Sequence, residues 1–310
     1  MPNAGYTFRD VVPGPAAGET VEAFYGRRWP HFTVAQWRAR VEAGQVTSGG
    51  RVLRPGETVA AGQVLDYRRP PWDEPDVPTD FRVLHLDDHL AALAKPAGLP
   101  VLPGAGCQDR TLLALARAAI DPGLVPVHRI DRGTSGVVMF ARTRAAAAAI
   151  GRATAWRHVG KDYLARVRAA GLPDRFTVDR PIGLVPYPPL GRVHGVAPDG
   201  RPAVTICEVL RRDGDEAVLG VRLVTGRSHQ IRIHLAWAGW PLVGEPLFGP
   251  GGQPRPADPG GRPVTTGDIG YRLHAWRLRL PHPATGELLE VVAEPPEDLA
   301  PSATAQPERR

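Results

Sequence analysis

The chain has 310 residues, of which 43% are apolar and 23% charged, and it contains 35 glycines and 34 prolines. This length predicts two domains, or one large domain with an appendage, and the composition excludes a small disulfide-stapled or fibrous protein in favour of a globular one rich in turns. The net charge is +6, and lysine occurs only at positions 95 and 161, so arginine carries nearly all of the positive charge. Either an arginine-favouring genome or an anionic partner explains that excess.

Residues 1–69 are predicted to form a small α/β domain. Apolar residues at helical spacing predict helices at 20–29 and 33–43, and Gly44 is expected to end the second helix. A short β unit should follow this helix pair. Its strands are expected at 45–47, 51–53 and 63–67.

The order of these elements, two helices and then a small sheet, resembles the S4-type RNA-binding module. In that module the second helix presents basic residues, and Arg38 and Arg40 occupy the corresponding helix here. The resemblance implies that both side chains contact RNA. Another domain with a helix pair and a hairpin would give the same pattern, so that alternative stays open.

Residues 70–80 contain four prolines and are predicted to link this domain to a second one at 81–295. Hairpin connections predominate over βαβ repeats in the second domain, so the predicted fold class is α+β with a largely antiparallel sheet. Strands are expected at 82–86, 89–94, 137–141, 161–168, 203–210, 217–224, 272–280 and 288–292, and helices at 112–120 and 143–160. A mobile loop is expected at 249–270 and a disordered tail at 296–310.

Charge is distributed unevenly along the chain. Between Arg129 and Arg168 there are nine basic and two acidic residues, whereas 72–88 carries six acidic residues and one basic residue. Segregated positive charge is typical of a face that binds a polyanion. The nine basic residues are Arg129, Arg132, Arg142, Arg144, Arg152, Arg157, Lys161, Arg166 and Arg168.

Cys107 and Cys207 lie a hundred residues apart and form no CxxC pair. This spacing favours neither a disulfide framework nor a zinc site, and it fits a reducing cytoplasm. The N-terminal segment MPNAGYTFRD has no basic region leading into an apolar run. No stretch approaches the roughly 18 apolar residues of a membrane span, so we expect a cytoplasmic protein outside the membrane.

The segment 128–136, HRIDRGTSG, places one carboxylate between two guanidinium groups, directly before a predicted buried strand. Arginines within about 4–6 Å lower an aspartate pKa by about 1–3 units, so Asp131 is expected to be ionised beside Arg129 and Arg132. An ionised carboxylate can act as a nucleophile or a base. The residue types alone give equal support to a structural ion pair at the entrance of the strand.

Four segments in a fixed order resemble the motifs of the RluA-type RNA pseudouridine synthase family. HRIDRGTSG is similar to the family's HRLD and TSG signature, and the others are KPAGL at 95–99, KDYLARV at 161–167 and GRSHQIRIH at 226–234. The resemblance extends over about 82–295. The departures are Ile130 for Leu, Gly133 for an acidic residue, Ser228 for Thr, and Glu245 to Phe248 where the family commonly has an Asp and a Tyr.

The resemblance implies the pseudouridine synthase fold, a mixed but mainly antiparallel sheet flanked by helices. It implies that Asp131 is the essential carboxylate, that Tyr163 contacts the target base and that Arg232 pairs with Asp131. It further suggests that Arg129 fills the space left by an extruded base. The other residues expected to bind RNA or the base are His128, Arg132, Arg227 and His229.

Conversion of uridine into pseudouridine detaches uracil from the ribose at its ring nitrogen and reattaches it through its C5 atom. No atoms are gained and the redox state does not change. We therefore expect neither a metal nor a cofactor. Because a stacked base cannot present its reacting atoms, the nucleotide must leave the helix at a cost of a few kcal/mol. Stacking on an aromatic ring, worth about 1–3 kcal/mol per base, offsets much of that cost.

The histidines do not have the spacing of a metal site. His229 and His234 are five positions apart, and His85 and His89 lie in a predicted hairpin. Ser228 as N-cap and Gly239 as C-terminal stop instead predict a helix whose first turns carry His229 and Arg232.

The expected partner is RNA, either ribosomal or transfer RNA, with ribosomal RNA favoured by the S4-like module. A monomer is expected, since one molecule can contain every proposed group. Two other functions remain open at this point. One is a non-catalytic RNA-binding or ribosome-assembly factor that retains the fold, and the other is a small-molecule lyase or isomerase. The chain has no GxSxG elbow, P-loop or dinucleotide motif, which argues against hydrolases, kinases and dehydrogenases.

Overall fold

The computed structural model describes residues 2–29, 32–104, 106–156, 158–256 and 261–302. The chain divides into two compact units, 1–75 and 76–310. The division lies inside the proline-rich segment for which the sequence predicts a linker. Within the described ranges, no helix is both long enough and apolar enough to cross a membrane.

The first unit is a small α/β domain. Its regular elements are β1 (Tyr6–Val11), α1 (Val21–Arg28), α2 (Val34–Glu42), β2 (Val46–Ser48), β3 (Arg51–Val52) and β4 (Val64–Arg69). The described strands form one antiparallel sheet in the order β1-β4-β2-β3. The hydroxyls of Thr20 and Thr33 cap the two helices by accepting from backbone N–H groups three residues on. Gly44, with φ of 70°, follows the end of α2, as the sequence predicts.

Aromatic packing holds the helices of this unit on the sheet. The ring of Trp37 stacks on Tyr25 with 4.6 Å between centroids and meets Tyr67 edge-on at 4.8 Å, and all three side chains are buried. Strand β1 was not predicted. Most of its residues are exposed, so the sequence shows no alternation of buried and exposed positions there.

The second unit is built on a large sheet. Its regular elements are β5 (Arg82–Leu86), β6 (Leu90–Lys95), α3 (Leu112–Ala119), β7 (Val125–Pro126), β8 (Ser135–Ala141), α4 (Arg144–Ala155), β9 (Gly160–Arg168), β10 (Arg175–Asp179), β11 (Ile182–Tyr187), β12 (Gly191–Val196), β13 (Val204–Asp213), β14 (Glu216–Leu223), α5 (Gln230–Trp237), β15 (Leu273–Pro281) and β16 (Leu288–Val292). The main path of the sheet is β10-β13-β14-β9-β15-β8-β6-β5, with β16 beside β15 and β7 beside β8. Strands β11 and β12 form a separate hairpin.

Among the described strand pairs of this sheet, β8 and β15 run parallel and the others antiparallel, which confirms the predicted α+β class. The parallel contact pairs Gly136 with Ala275. A Cβ atom on Gly136 would lie 2.1 Å from the carbonyl oxygen of Ala275, so glycine is required at this position. The close approach holds the loop before β8 against β15.

The sheet is covered on both faces. Tyr163, Ala165 and Val167 of β9 pack in one core with residues of α3 and α5, whereas Leu164 packs in another cluster with Val218. Helix α4 packs in a further cluster with alternate residues of β8. This arrangement confirms the predicted alternation of β9, with Tyr163 on the side of the small apolar residues.

Three predictions for this unit need correction. Strands β10 to β12 were not predicted, because residues 175–196 have no sustained alternation of apolar and polar positions. Helix α4 ends at Ala155, five residues before the predicted end. In the predicted loop, residues 250–252 form a short 3₁₀ turn, and 257–260 lie outside the described residues.

The first part of the tail predicted at 296–310 is ordered. Residues 297–299 form a 3₁₀ turn, Leu299 is buried with Leu164, and Arg166 and Arg211 donate to backbone carbonyls of 298 and 300. One isolated apolar residue leaves no periodic pattern, so this anchor could not be predicted from the sequence. Residues 303–310 lie outside the described residues.

Candidate active site

A cavity of about 490 Å³ opens in the second unit, where the loop before β8 faces the start of α5. Three of the motifs that the sequence singled out meet at its wall, and they contribute Arg129 to Arg132, Lys161 and Tyr163, and Gly226 to Arg232. Pro100 to Gly104, which directly follow the KPAGL segment, also line it. The structure therefore brings together Asp131 and Arg232, which lie 101 positions apart in the chain.

Asp131 lies in the wall of this cavity with its side chain 24% exposed. Its Oδ2 is 2.7 Å from Nδ1 of His229 and 3.5 Å from the guanidinium of Arg232. An ionised carboxylate can only accept, so the imidazole donates this hydrogen bond. Burial opposes ionisation of Asp131, but His229 and Arg232 outweigh it and lower the carboxyl pKa below its ordinary value of 3.8. Asp131 is therefore ionised at neutral pH, but the groups that lower its pKa are His229 and Arg232 and not the predicted Arg129 and Arg132.

His229 begins α5 in an unusual conformation. It is the one non-glycine residue in the described ranges with a positive φ, 57°, and it occupies the N-cap position for which the sequence predicted Ser228. Such a conformation costs about 1–3 kcal/mol and persists where surrounding contacts hold it. Here it directs the imidazole at the carboxylate of Asp131. The sequence placed His229 among the RNA contacts, and its position at the carboxylate could not be predicted.

Arg232 is fully buried, and its closest partner is Glu245 rather than Asp131. The guanidinium Nε and Nη2 atoms donate to the two oxygens of Glu245 at 2.8 and 2.7 Å, and Nη1 donates to the carbonyl of Thr266 at 3.1 Å. The predicted pairing with Asp131 is the longer contact of 3.5 Å. Glu245 was noted in the sequence as a departure from the family pattern, but its role as the main partner of Arg232 was missed.

The rings of Tyr271 and Phe248 flank the Arg232 guanidinium. The distance from the guanidinium carbon to the ring centroid is 4.2 Å for Tyr271 and 5.1 Å for Phe248. Neither ring was predicted to belong to the site. A Cβ atom at Gly133 would lie 2.8 Å from the Tyr271 ring, so the ring excludes the acidic side chain that the family more commonly has there. The departure at Gly133 thus follows from the position of Tyr271.

Tyr163 lines the cavity from β9 with 9% of its surface exposed. Burial raises the pKa of its phenol, and the negative charge of Asp131 raises it further. The hydroxyl therefore stays protonated at neutral pH. Tyr163 offers the cavity a flat neutral ring and not a base.

Comparisons with known proteins show the family to which the chain belongs. Residues 89–237 match the sequence profile of the family described as RNA pseudouridylate synthase. An uncharacterized RNA pseudouridine synthase of Synechocystis is 37% identical over 90% of this chain and 95% of its own length. The ribosomal large subunit pseudouridine synthase D of Xanthomonas campestris is 38% identical over 93% of this chain and 89% of its own length. The chain belongs to the RNA pseudouridylate synthase family.

The synthase is therefore an isomerase that acts on RNA. Its fold is shared by solved structures of two human proteins. RNA pseudouridylate synthase domain containing 4 has 26% identity and a TM-score of 0.52 over 70% of this chain and 89% of that one. RNA pseudouridylate synthase domain containing 1 has 24% identity and a TM-score of 0.56 over 72% and 86%. These likenesses confirm the predicted pseudouridine synthase fold.

Lys95 supports the loop of the synthase that carries Asp131. Its buried ammonium donates to the carbonyl oxygens of Pro96, Leu99 and Arg132 at 2.9, 2.7 and 3.1 Å. It thereby joins the KPAGL segment to the residue that follows the carboxylate. Burial lowers the pKa of Lys95 to about 7, although the charge of Asp131 opposes the shift.

Lys95→Met is expected to change how stability depends on pH. Between pH 7 and the ordinary lysine value of 10.5, the unfolded chain binds a proton that the folded chain has released, so the wild-type free energy of unfolding rises with pH. Lys95 contributes up to about 1.4 kcal/mol per pH unit to this rise, and methionine contributes none. Urea unfolding at pH 7, 8 and 9 measures the difference. Parallel stability curves for the two proteins would show that Lys95 does not titrate in this range.

Three of the predicted RNA-binding arginines line the cavity: Arg129, Arg132 and Arg227. Arg129 is exposed. Arg132 donates to the carbonyl of Gly98 at 2.8 Å, and Arg227 donates to the carbonyl of Pro202 at 3.0 Å. Backbone contacts thus orient two of these side chains at the rim of the cavity.

His128 does not join them. Its Nε2 accepts from the backbone N–H of Met139 at 3.1 Å, and it is absent from the described cavity wall. Burial, aided by the nearby charge of Lys161, lowers the imidazole pKa to about 3. His128 is therefore a neutral residue that supports β8, and this placement does not support the predicted contact with RNA.

In the first unit, Arg38 and Arg40 have partners of their own. Arg38 is exposed and lies 3.2 Å from Glu42 and 3.8 Å from Glu22. Arg40 packs its guanidinium over Phe32 at 3.9 Å and donates to the carbonyl of Gln36 at 2.7 Å. Of the two predicted RNA contacts, Arg38 is the more accessible.

The basic stretch from Arg129 to Arg168 is not one continuous positive face. Arg142 pairs with Asp121, and Arg166 pairs with Glu216 and Asp213. The exposed members among the described residues are Arg129, Arg144, Arg152 and Arg168, while Arg157 lies outside the described residues. The local excess of charge in the sequence therefore overstates the charge that this stretch offers to RNA.

Proposed function

We propose that Asp131 is the catalytic carboxylate with which this synthase converts one uridine, flipped out of a structured RNA, into pseudouridine. The observation that carries the proposal is the ionised carboxylate of Asp131, held by His229 and Arg232, in a cavity that it shares with the ring of Tyr163. A cavity of about 490 Å³ is large enough for one nucleoside.

The reaction needs a group of this kind. The bond between C1′ and N1 breaks, a bond between C1′ and C5 forms, the C5 hydrogen leaves as a proton and N1 gains a proton. Asp131 can take part as a nucleophile or as a base, and both roles need the ionised form. The contacts from His229 and Arg232 keep that form populated without consuming the second oxygen of the carboxylate.

The Tyr163 ring is proposed to stack on the flipped base. The nearby carboxylate is then positioned to react at the edge or at the sugar of the same nucleotide. Stacking of about 1–3 kcal/mol offsets much of the cost of unstacking the base from the RNA. Arg129, at the cavity wall and exposed, is proposed to occupy the space that the base leaves.

We propose ribosomal RNA as the substrate, held also by the first unit, whose two helices on a small sheet resemble the S4-type module. The relative from Xanthomonas is named for the large ribosomal subunit, which supports this choice. Transfer RNA is the second candidate.

Mapping of pseudouridines in total RNA, with and without the gene, tests the proposal. We expect one or a few sites, in ribosomal RNA, to depend on the gene and to be restored by the wild-type protein. The same transcript made in vitro should be modified by the purified protein without added cofactor. Tight RNA binding with no pseudouridine formed in either assay would support a non-catalytic assembly factor instead.

Tyr163→Phe and Tyr163→Leu separate the ring from the hydroxyl. We expect phenylalanine to retain the single-turnover kcat/KM within about threefold, because the ring remains. Leucine should lower it by roughly 5- to 150-fold, the equivalent of 1–3 kcal/mol of lost stacking. Equal losses in both variants would assign the role to the hydroxyl and contradict stacking.

A further inference from the structure

Lys161 is the second lysine of the chain, and it has no role in the reaction proposed for Asp131 and Tyr163. It lies on β9 two residues before Tyr163, on the same face of the strand, and it lines the same cavity. Two positions along a strand are about 6.4–6.8 Å apart, roughly the width of a pyrimidine ring with its exocyclic oxygens. A base stacked on Tyr163 is therefore within reach of the lysine side chain.

The ammonium of Lys161 lacks the partners that Lys95 has. Within the described ranges, no carboxylate or carbonyl lies within hydrogen-bond or ion-pair distance of it, whereas three carbonyls surround Lys95. Burial lowers the pKa of Lys161. Lys161 is half-buried, and a cation that has no acceptor in the protein is free to bind a ligand that enters the cavity. An ionisable group with a shifted pKa in a cleft is a candidate for such a contact.

We propose that Lys161 donates a hydrogen bond to a carbonyl oxygen of the flipped uracil and stabilises the negative charge that the ring acquires during the reaction. The inference rests on the proposed function of the cavity. It assigns to Lys161 a catalytic role in contact with the base, distinct from the role of Asp131 at the sugar or at C6.

The chemistry requires such a group by every route open to Asp131. When the bond between C1′ and N1 breaks, its electron pair stays on uracil and spreads over N1, O2 and O4. When the carboxylate adds to C6 instead, the charge appears on O4. Lys161 keeps its proton in both cases and donates only a hydrogen bond. The charge disappears when C5 bonds to C1′, and the proton that C5 then loses is balanced by the proton that N1 gains. A fixed donor to a developing oxyanion acts mainly on the transition state.

The position of Lys161 favours the base over the phosphates as its partner. The base is the part of the nucleotide that enters the cavity, whereas the backbone phosphates remain at its mouth, near the exposed Arg129. A half-buried ammonium on the same strand face as Tyr163 is therefore better placed for a carbonyl oxygen of the ring than for a phosphate.

Single-turnover kinetics of Lys161→Met, with a transcript that carries the mapped uridine, test this proposal. We expect the rate constant at saturating RNA to fall by about 100-fold, the effect of removing one oxyanion donor, with Kd for RNA changed by less than twofold. Lys161→Arg should recover part of the rate. Arg82→Met, which removes an exposed cation from β5, outside the described cavity wall, is the matched control and should keep the wild-type rate constant.

The alternatives give different results. If Lys161 binds phosphate, Kd rises, the slope of log affinity against log salt falls by about 0.7 and the rate constant at saturation is unchanged, which overturns the proposal. A wild-type rate in Lys161→Met also overturns it but leaves the role of Asp131 intact. Absence of pseudouridine with the wild-type protein instead refutes the proposed function. Lys161→Gln, which keeps a polar end, replaces the methionine variant in every comparison if that variant does not fold.

Discussion

Asp131→Asn is expected to abolish pseudouridine formation, with a fall of at least about 10⁴-fold in the single-turnover rate. Asparagine has nearly the same shape but is neither a nucleophile nor a base at neutral pH. The variant should fold, because Arg232 keeps its two hydrogen bonds to Glu245 and no buried cation is left without a partner. The measurement is quantitative pseudouridine detection in a transcript after hours of incubation with excess protein.

Two controls make this result specific to the carboxylate. The variant should bind the transcript with wild-type Kd and should melt within about 3 °C of the wild type. Asp174→Asn, which neutralises an exposed aspartate paired with Arg212, should keep full activity. Turnover by Asp131→Asn above about 1% of the wild-type rate would contradict the assignment of Asp131.

Glu245→Gln is expected to give the largest loss of stability among these variants. It removes the charge that neutralises the buried guanidinium of Arg232, and breaking a buried ion pair costs about 3–5 kcal/mol. In a domain of this size such a loss lowers the melting temperature by roughly 10 °C. Activity should fall as well, because Arg232 would lose the contacts that orient it toward Asp131. Calorimetry and single-turnover kinetics measure the two effects.

A matched pair of variants separates charge burial from general disruption. Glu208→Gln breaks a surface ion pair with Arg175 and should cost less than about 1 kcal/mol. The double variant Arg232→Met with Glu245→Leu removes both buried charges and should regain most of the stability lost in Glu245→Gln, while activity stays low. If Glu245→Gln melts like the wild type, the pair with Arg232 does not have the structural role assigned to it.

Much of the second unit could be predicted because its elements carry strong local patterns. Strand β9 alternates cleanly, the apolar run of β8 is continuous, and Thr143 marks the start of α4. The HRIDRGTSG and GRSHQIRIH segments were predicted to carry site residues, and the fold places both segments at the cavity. In these cases the local sequence and the tertiary structure favour the same conformation.

The partners within the site could not be predicted in the same way. Glu245 binds Arg232 and Tyr271 packs against it because the fold brings together residues from separate segments. Lys95 and the carbonyl of Arg132 are likewise 37 positions apart. No local pattern encodes such contacts, and the left-handed conformation of His229 is set by the same surroundings.

The structure of Asp131→Asn bound to the RNA that carries the mapped uridine tests the central claim most directly. The account predicts one nucleotide out of the stack, its base against the Tyr163 ring, and C1′ or C6 within about 3.5 Å of the residue 131 side chain. RNA bound with the target uridine still stacked, or seated on another face with this cavity empty, would contradict it.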